Sequence, residues 1–101
     1  MRSCFALVAL ALTLPAAAPR GVLLGRSVQG RRVVAAEAGD PSSPRKALVV
    51  GCIHGNECAG VAVIRRLRSL GAASGVDLWL VPEANPDGTV ADRRWNARSG
   101  R

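Results

Sequence analysis

Tyrosine is absent from this 101-residue chain, and Phe5, Trp79 and Trp95 are its only aromatic residues. A core without large rings must be assembled from Val, Leu, Ala and Ile, and at this size such a core is marginal. Acidic groups are scarce: 7 against 14 basic ones, a net charge of +7, with a single Lys among the bases. Histidine occurs once, at position 54, so the chain offers one imidazole to any metal. Three cysteines are too few for a dense disulfide scaffold. The longest apolar run, Cys4 to Leu14, is too short for a membrane span, which needs about 20 residues. Leu, Ile, Val and Phe nevertheless total 26 residues, above the composition of a disordered chain. One small domain fits this length, and no repeat or low-complexity tract divides it.

The first segment reads as an address. Met1-Arg2-Ser3 is a short basic start, the apolar run follows, and Pro15-Ala-Ala-Ala-Pro-Arg20 adds small residues and a breaker. That is the layout of a secretory signal peptide, so residues 1–18 are expected to direct export and then be removed. Cys4 lies too early, without a small-apolar lipobox, to carry a lipid, so no stable membrane anchor is expected. Export would leave Cys52 and Cys58 where thiols oxidise. The remaining 13 basic and 7 acidic groups, a net +6, favour acidic partners such as anionic cell-wall polymers. An Arg-rich composition can also be a habit of the genome, and no specific nucleic-acid partner is expected.

The remainder reads as an α/β domain. Val22–Val28 and Arg32–Glu37 are short β-rich pieces around Gln29-Gly30, which predicts a hairpin with Gly30 at positive φ. Ala47–Gly51 is a continuous apolar run, the pattern of a strand covered on both faces. Asn56 can cap a helix from about Glu57 to Leu70, stopped at Gly71. On it Ala59, Val63, Leu67 and Leu70 recur at helical spacing and should face the sheet. Val76–Val81 forms the next strand, making a right-handed parallel crossover.

Open α/β sheets bind ligands at the carboxyl ends of their strands. Gly51-Cys52-Ile53-His54-Gly55-Asn56-Glu57 lies at that end of the first central strand. On a helix, the i,i+3 offset of His54 and Glu57 would bring their Cβ atoms about 5–6 Å apart. A nitrogen and a carboxylate so placed can converge on one Zn2+ at ~2.0–2.2 Å. The spacing alone is common among surface pairs; the apolar strand before it and the helix after it strengthen the reading. The next strand ends in Asn85-Pro86-Asp87-Gly88, a strong turn sequence in which Pro presets φ and Gly accepts a left-handed conformation.

Together these features resemble the first part of a zinc carboxypeptidase of the carboxypeptidase A-like metallopeptidase family, whose bacterial branch includes murein-peptide amidases. Leu24–Arg31 resembles the family's opening hairpin, Val49–Gly60 its first zinc motif and Val81–Gly88 its N-P-D-G turn. The resemblance implies a truncated zinc carboxypeptidase-type α/β fold: a mixed sheet with an N-terminal hairpin and a right-handed βαβ unit. It implies that 19–101 form the N-terminal portion of a zinc carboxypeptidase domain hydrolysing a peptide or murein-peptide substrate. His54 and Glu57 would be two of three protein ligands to a catalytic Zn2+. Arg93–Arg98 matches the segment carrying an arginine that stabilises the oxyanion, a role placed on Arg94 in preference to Arg93. The family's downstream His ligand, general-base Glu and carboxylate-binding segment do not appear before Arg101, so these residues alone are expected to be inactive.

Other readings compete. Cys52, His54 and Cys58 would form a structural zinc site with a fourth ligand elsewhere, or Cys52 and Cys58 would pair as a disulfide. A zinc deacylase of the succinylglutamate desuccinylase or aspartoacylase type also uses G-x-H-G-N-E, and a secreted basic binding protein would account for the charge. Export is open to a direct check: the mass of the secreted protein should correspond to loss of residues up to about Ala18, and a product retaining Met1-Arg2 would refute the leader.

Overall fold

A computed structural model describes residues 20–70 and 75–96. The leader at 1–18, the Gly71 stop and the tail from Ala97 onward lie outside the described residues.

Strand β1 (Gly21–Arg26) pairs antiparallel with β2 (Arg32–Glu37), and Gly30 takes the turn at φ 80°, as the sequence predicts. β3 (Lys46–Val50) leads into helix α1 (Ala59–Ser69), which returns to β4 (Asp77–Val81). β3 and β4 are parallel, β2 and β4 antiparallel, and the sheet order is β1-β2-β4-β3. This is the mixed sheet with hairpin and crossover unit expected from the sequence. A short helix, α2 (Pro86–Val90), follows β4.

The covered strand is β4, not β3. β4 lies between two partners and is buried along most of its length, Leu80 completely. β3 stands at the edge of the described sheet, with Ala47 and Val49 against the core and Leu48 and Val50 open. A run of apolar residues records hydrophobicity but not how many faces of the strand are covered; here the face of Leu48 and Val50 stays open.

The helix also differs in start and phase. Its N-cap position is Cys58, without a side-chain cap, and Asn56 lies exposed before it. Ile64 is the residue driven into the core, joining Leu78 and Leu80, with Leu67 beside it. Val63 and Leu70 face solvent instead. The helix crosses the end of β3 at Gly51. A Cβ on Gly51 would lie 2.6 Å from the Pro82 carbonyl oxygen and 3.1 Å from Ile64 Cδ1, so the crossing admits only bare backbone there. Gly60 faces it, a Cβ there falling 3.4 Å from Gly51 Cα, so the first turn of the helix passes close to the end of β3 beside Ile64.

Among the described residues no helix is long and apolar enough to cross a membrane. Ile64→Ala should cost about 2–5 kcal/mol through the lost contacts and the cavity left behind. Val63→Ala should change stability by less than about 0.5 kcal/mol. Urea denaturation of both variants checks the phase, and equal losses would contradict it.

Candidate metal centre

Hydrogen bonding between β3 and β4 continues past their ends. Gly51 N–H donates to the Val81 carbonyl at 2.8 Å, Ala84 N–H to Gly51 at 3.0 Å and Asn85 N–H to Cys52 at 3.0 Å. The loop after β3 therefore runs beside the loop after β4. The N-P-D-G sequence is not a left-handed turn but the opening of α2. Pro86 takes the first turn, where its missing N–H costs nothing, and the Asn85 side chain accepts from Gly88 N–H at 3.0 Å. The two loops touch through bare backbone: a Cβ on Gly55 would fall 2.0 Å from the Gly88 carbonyl carbon. A third segment closes on both, since the Arg94 carbonyl accepts from Gly55 N–H at 3.4 Å and from Asn85 Nδ2 at 3.5 Å.

This packing brings His54, Glu57 and Arg94 into one cluster. The pair forms in a turn ahead of α1, with Glu57 N–H donating to the His54 carbonyl at 3.0 Å, rather than on the helix itself. His54 Nδ1–H donates to Glu57 Oε2 at 3.1 Å, and Arg94 Nη1 donates to Glu57 Oε1 at 2.6 Å. The His54 hydrogen bond, and after it the charge of Arg94, hold the Glu57 carboxyl below its ordinary range despite the opposing effect of desolvation. All three side chains remain partly exposed. His54 and Arg94 line an open cleft of about 540 Å³ with Ile53, Asn85 and Trp95.

The donor set fits zinc. Two ligands ~2.1 Å from a tetrahedral ion lie about 3.4 Å apart, and imidazole with carboxylate is a combination zinc uses. The facing His54 and Glu57 atoms, at 3.1 Å, stand near that separation. Among the described residues no group of three or more metal-capable side chains gathers around this pair.

Arg93 is placed differently. Its backbone N–H donates to the Gly88 carbonyl at 2.9 Å; it borders a neighbouring hollow with Asn56, Asp92, Arg94 and Trp95 and does not line the cleft beside His54. Cys52 and Cys58 are joined in a disulfide. Their sulfurs are thereby consumed, which removes the structural zinc site built on Cys52, His54 and Cys58.

Sequence reasoning missed Asp87. Its side chain is fully buried and accepts from Ser27 Oγ at 2.7 Å, Arg31 Nη1 at 2.8 Å and Gln29 N–H at 3.1 Å. One carboxylate thus fastens the hairpin turn to α2, next to the Gly88 that supports Gly55. Burial is the largest influence and pushes its titration upward. The hydrogen bonds from Ser27, Arg31 and Gln29 together outweigh it and leave the carboxyl below its usual range.

The sequence matches the zinc carboxypeptidase family over residues 16–101. The chain belongs to that family. No curated protein sequence matches it at a significant level.

A carboxyl lowered on folding adds stability above its unfolded pKa and loses it as pH falls through the folded value. The stability difference between wild type and Asp87→Asn should therefore be full above ~3.9, the ordinary Asp value, and shrink as acid protonates the native carboxylate. Near neutral pH, Asp87→Asn should lower the melting temperature by roughly 5–10 °C. Thermal melts from pH 2 to 7 read both effects, and a difference that grows in acid would contradict the assignment.

Proposed function

We propose that His54 and Glu57 are the first two protein ligands of the catalytic Zn2+ of a metallocarboxypeptidase, and that Arg94 is its electrophilic partner. The observation that carries this is the cluster itself: imidazole nitrogen and carboxylate oxygen face each other at 3.1 Å, with Arg94 on the carboxylate's second oxygen. Membership of the zinc carboxypeptidase family supplies the reaction class and favours peptide hydrolysis over the deacylase reading. Zinc bound there supplies a Lewis acid and lowers the pKa of its water.

The chain's own residues divide the work. To act as a ligand through Nδ1, His54 would carry its single proton on Nε2 instead, and Glu57 would bind through the oxygen that now faces Nδ1. Arg94 offers five N–H donors in a planar fork, of which one is directed at Glu57. The others are available to a carbonyl oxygen entering the cleft, where developing negative charge strengthens the contact. Arg94 is held by its own backbone, whose carbonyl is tied to both motif loops, so the guanidinium is positioned before substrate arrives.

A catalytic zinc needs three protein ligands and an open position. Residues 1–101 by themselves therefore bind Zn2+ weakly and acquire peptidase activity only with a third ligand and a general base. The substrate is a peptide with a free carboxyl terminus, a cell-wall peptide being the choice that suits export and a basic surface. The leader and the secreted location belong to the same proposal.

In a protein completed with those groups, His54→Ala and Glu57→Ala should each release zinc. Arg94→Ala should retain zinc and lose about 10²–10³-fold in kcat, the usual effect of removing one oxyanion donor. Arg93→Ala should be nearly neutral. Steady-state kinetics with zinc content separate the cases. Full kcat in Arg94→Ala with loss in Arg93→Ala would move the role by one residue.

A further inference from the structure

The metal loop is closed by a covalent bond that the zinc chemistry does not require. Cys52 and Cys58 are joined with their Cα atoms 4.5 Å apart, and the six-position interval between them contains both His54 and Glu57. Each cysteine stands at the root of one ligand. Cys52 belongs to the strand side, two residues before His54, and its carbonyl is fixed by Asn85 N–H at 3.0 Å. Cys58 is the N-cap residue of α1 and directly follows Glu57.

Apart from the packing of Gly55 on Gly88, this interval is held by few backbone hydrogen bonds. Within it the backbone makes the Glu57 to His54 hydrogen bond at 3.0 Å, and Gly55 reaches the Arg94 carbonyl at 3.4 Å. Cys52 also sits at φ 45°, in the left-handed region that a residue with a Cβ rarely occupies. Such a conformation persists only where its surroundings over-determine it. The disulfide, the burial of Cys52 and the Asn85 contact do so here. Without the cross-link, Cys52 is free to return to the ordinary region and turn the peptide that carries His54 away from Glu57.

We infer that the Cys52–Cys58 disulfide is a positioning element for the metal centre: it ties the strand end bearing His54 to the helix start bearing Glu57 and holds the two donors at ligand separation in the absence of metal. The inference rests on the zinc reading of this pair. It assigns the cysteines no contact with zinc or substrate. Their contribution is to remove the ordering that binding would otherwise have to perform.

Because His54 is the only histidine, its imidazole resonances report metal binding without ambiguity. The test is a Zn2+ titration of the full oxidised chain, followed by those resonances in wild type, Cys52→Ala/Cys58→Ala and Cys52→Gly/Cys58→Ala. Alanine and glycine add no new donor, and glycine accepts φ 45° without strain, so the last variant removes the tie without forcing a Cβ into the left-handed region. Amide resonances of β1, β2 and β4 verify the fold in each. Both double variants should keep the sheet and bind Zn2+ about 10- to 100-fold more weakly, the usual effect of losing groups that orient ligands. Unchanged affinity in either folded variant would overturn the positioning role. Loss of the sheet in both would also overturn it, making the bond a requirement of folding. No His54 response in the oxidised wild type, even at the highest Zn2+ concentration at which the folded chain stays in solution, would instead defeat the zinc reading of this pair.

Discussion

Backbone meets backbone at Gly55 and Gly88, and the site depends on that contact. With no side chain between them, the loop after β3 and the helix after β4 lie close enough for one further carbonyl, that of Arg94, to bind both. His54 and Glu57 are then fixed on one side of the junction and Asp87 on the other. A methyl group at position 55 would have to displace main chain rather than a flexible side chain, and the three segments would part together.

Electrostatics follows the same economy. In a chain with twice as many bases as acids, the carboxylates that matter are enclosed by donors. Asp40 is bound by the hydroxyl and amide of Ser42, Asp77 by Lys46, Asp87 by Ser27, Arg31 and Gln29, and Glu57 by His54 and Arg94. Each is held below its ordinary titration range. The two nearest the site are bound across long stretches of sequence: Asp87 from residues 27–31, and Glu57 from residue 94. Scarce negative charges thus act as fasteners between distant parts of a basic chain.

How much of this is legible in the sequence follows from how far each interaction reaches. The hairpin, the strand–helix–strand order and the pairing of His54 with Glu57 all depend on neighbours within a few positions, and all can be read directly. Arg94 can be placed beside them only through resemblance to a family, because nothing near residue 94 names its partner at 57. Asp87 reads as turn chemistry for the same reason, since an Asp after Pro is consistent with a turn whether or not a hairpin closes over it. The helix phase is legible at Leu67 but misread at Val63 and Leu70, which face solvent while Ile64 enters the core, because periodicity does not see where the helix lies against the sheet. The edge position of β3 is hidden because strand order is decided by partners elsewhere in the chain.

That order, with β4 inserted between β2 and β3, also fixes when the sheet can exist. β2 and β3 share no ladder; each waits for a strand made 40 or more residues after β2 begins. Until residues 77–81 are available, the hairpin and β3 are separate pieces with open hydrogen-bonding edges, and the loop entropy of joining them has not been repaid. The four-stranded sheet therefore cannot close before β4 is made, and that one strand then satisfies two edges. A nascent or translocating chain halted just short of β4 would present two unsatisfied edges to its neighbours, the condition under which strands pair between molecules instead of within one.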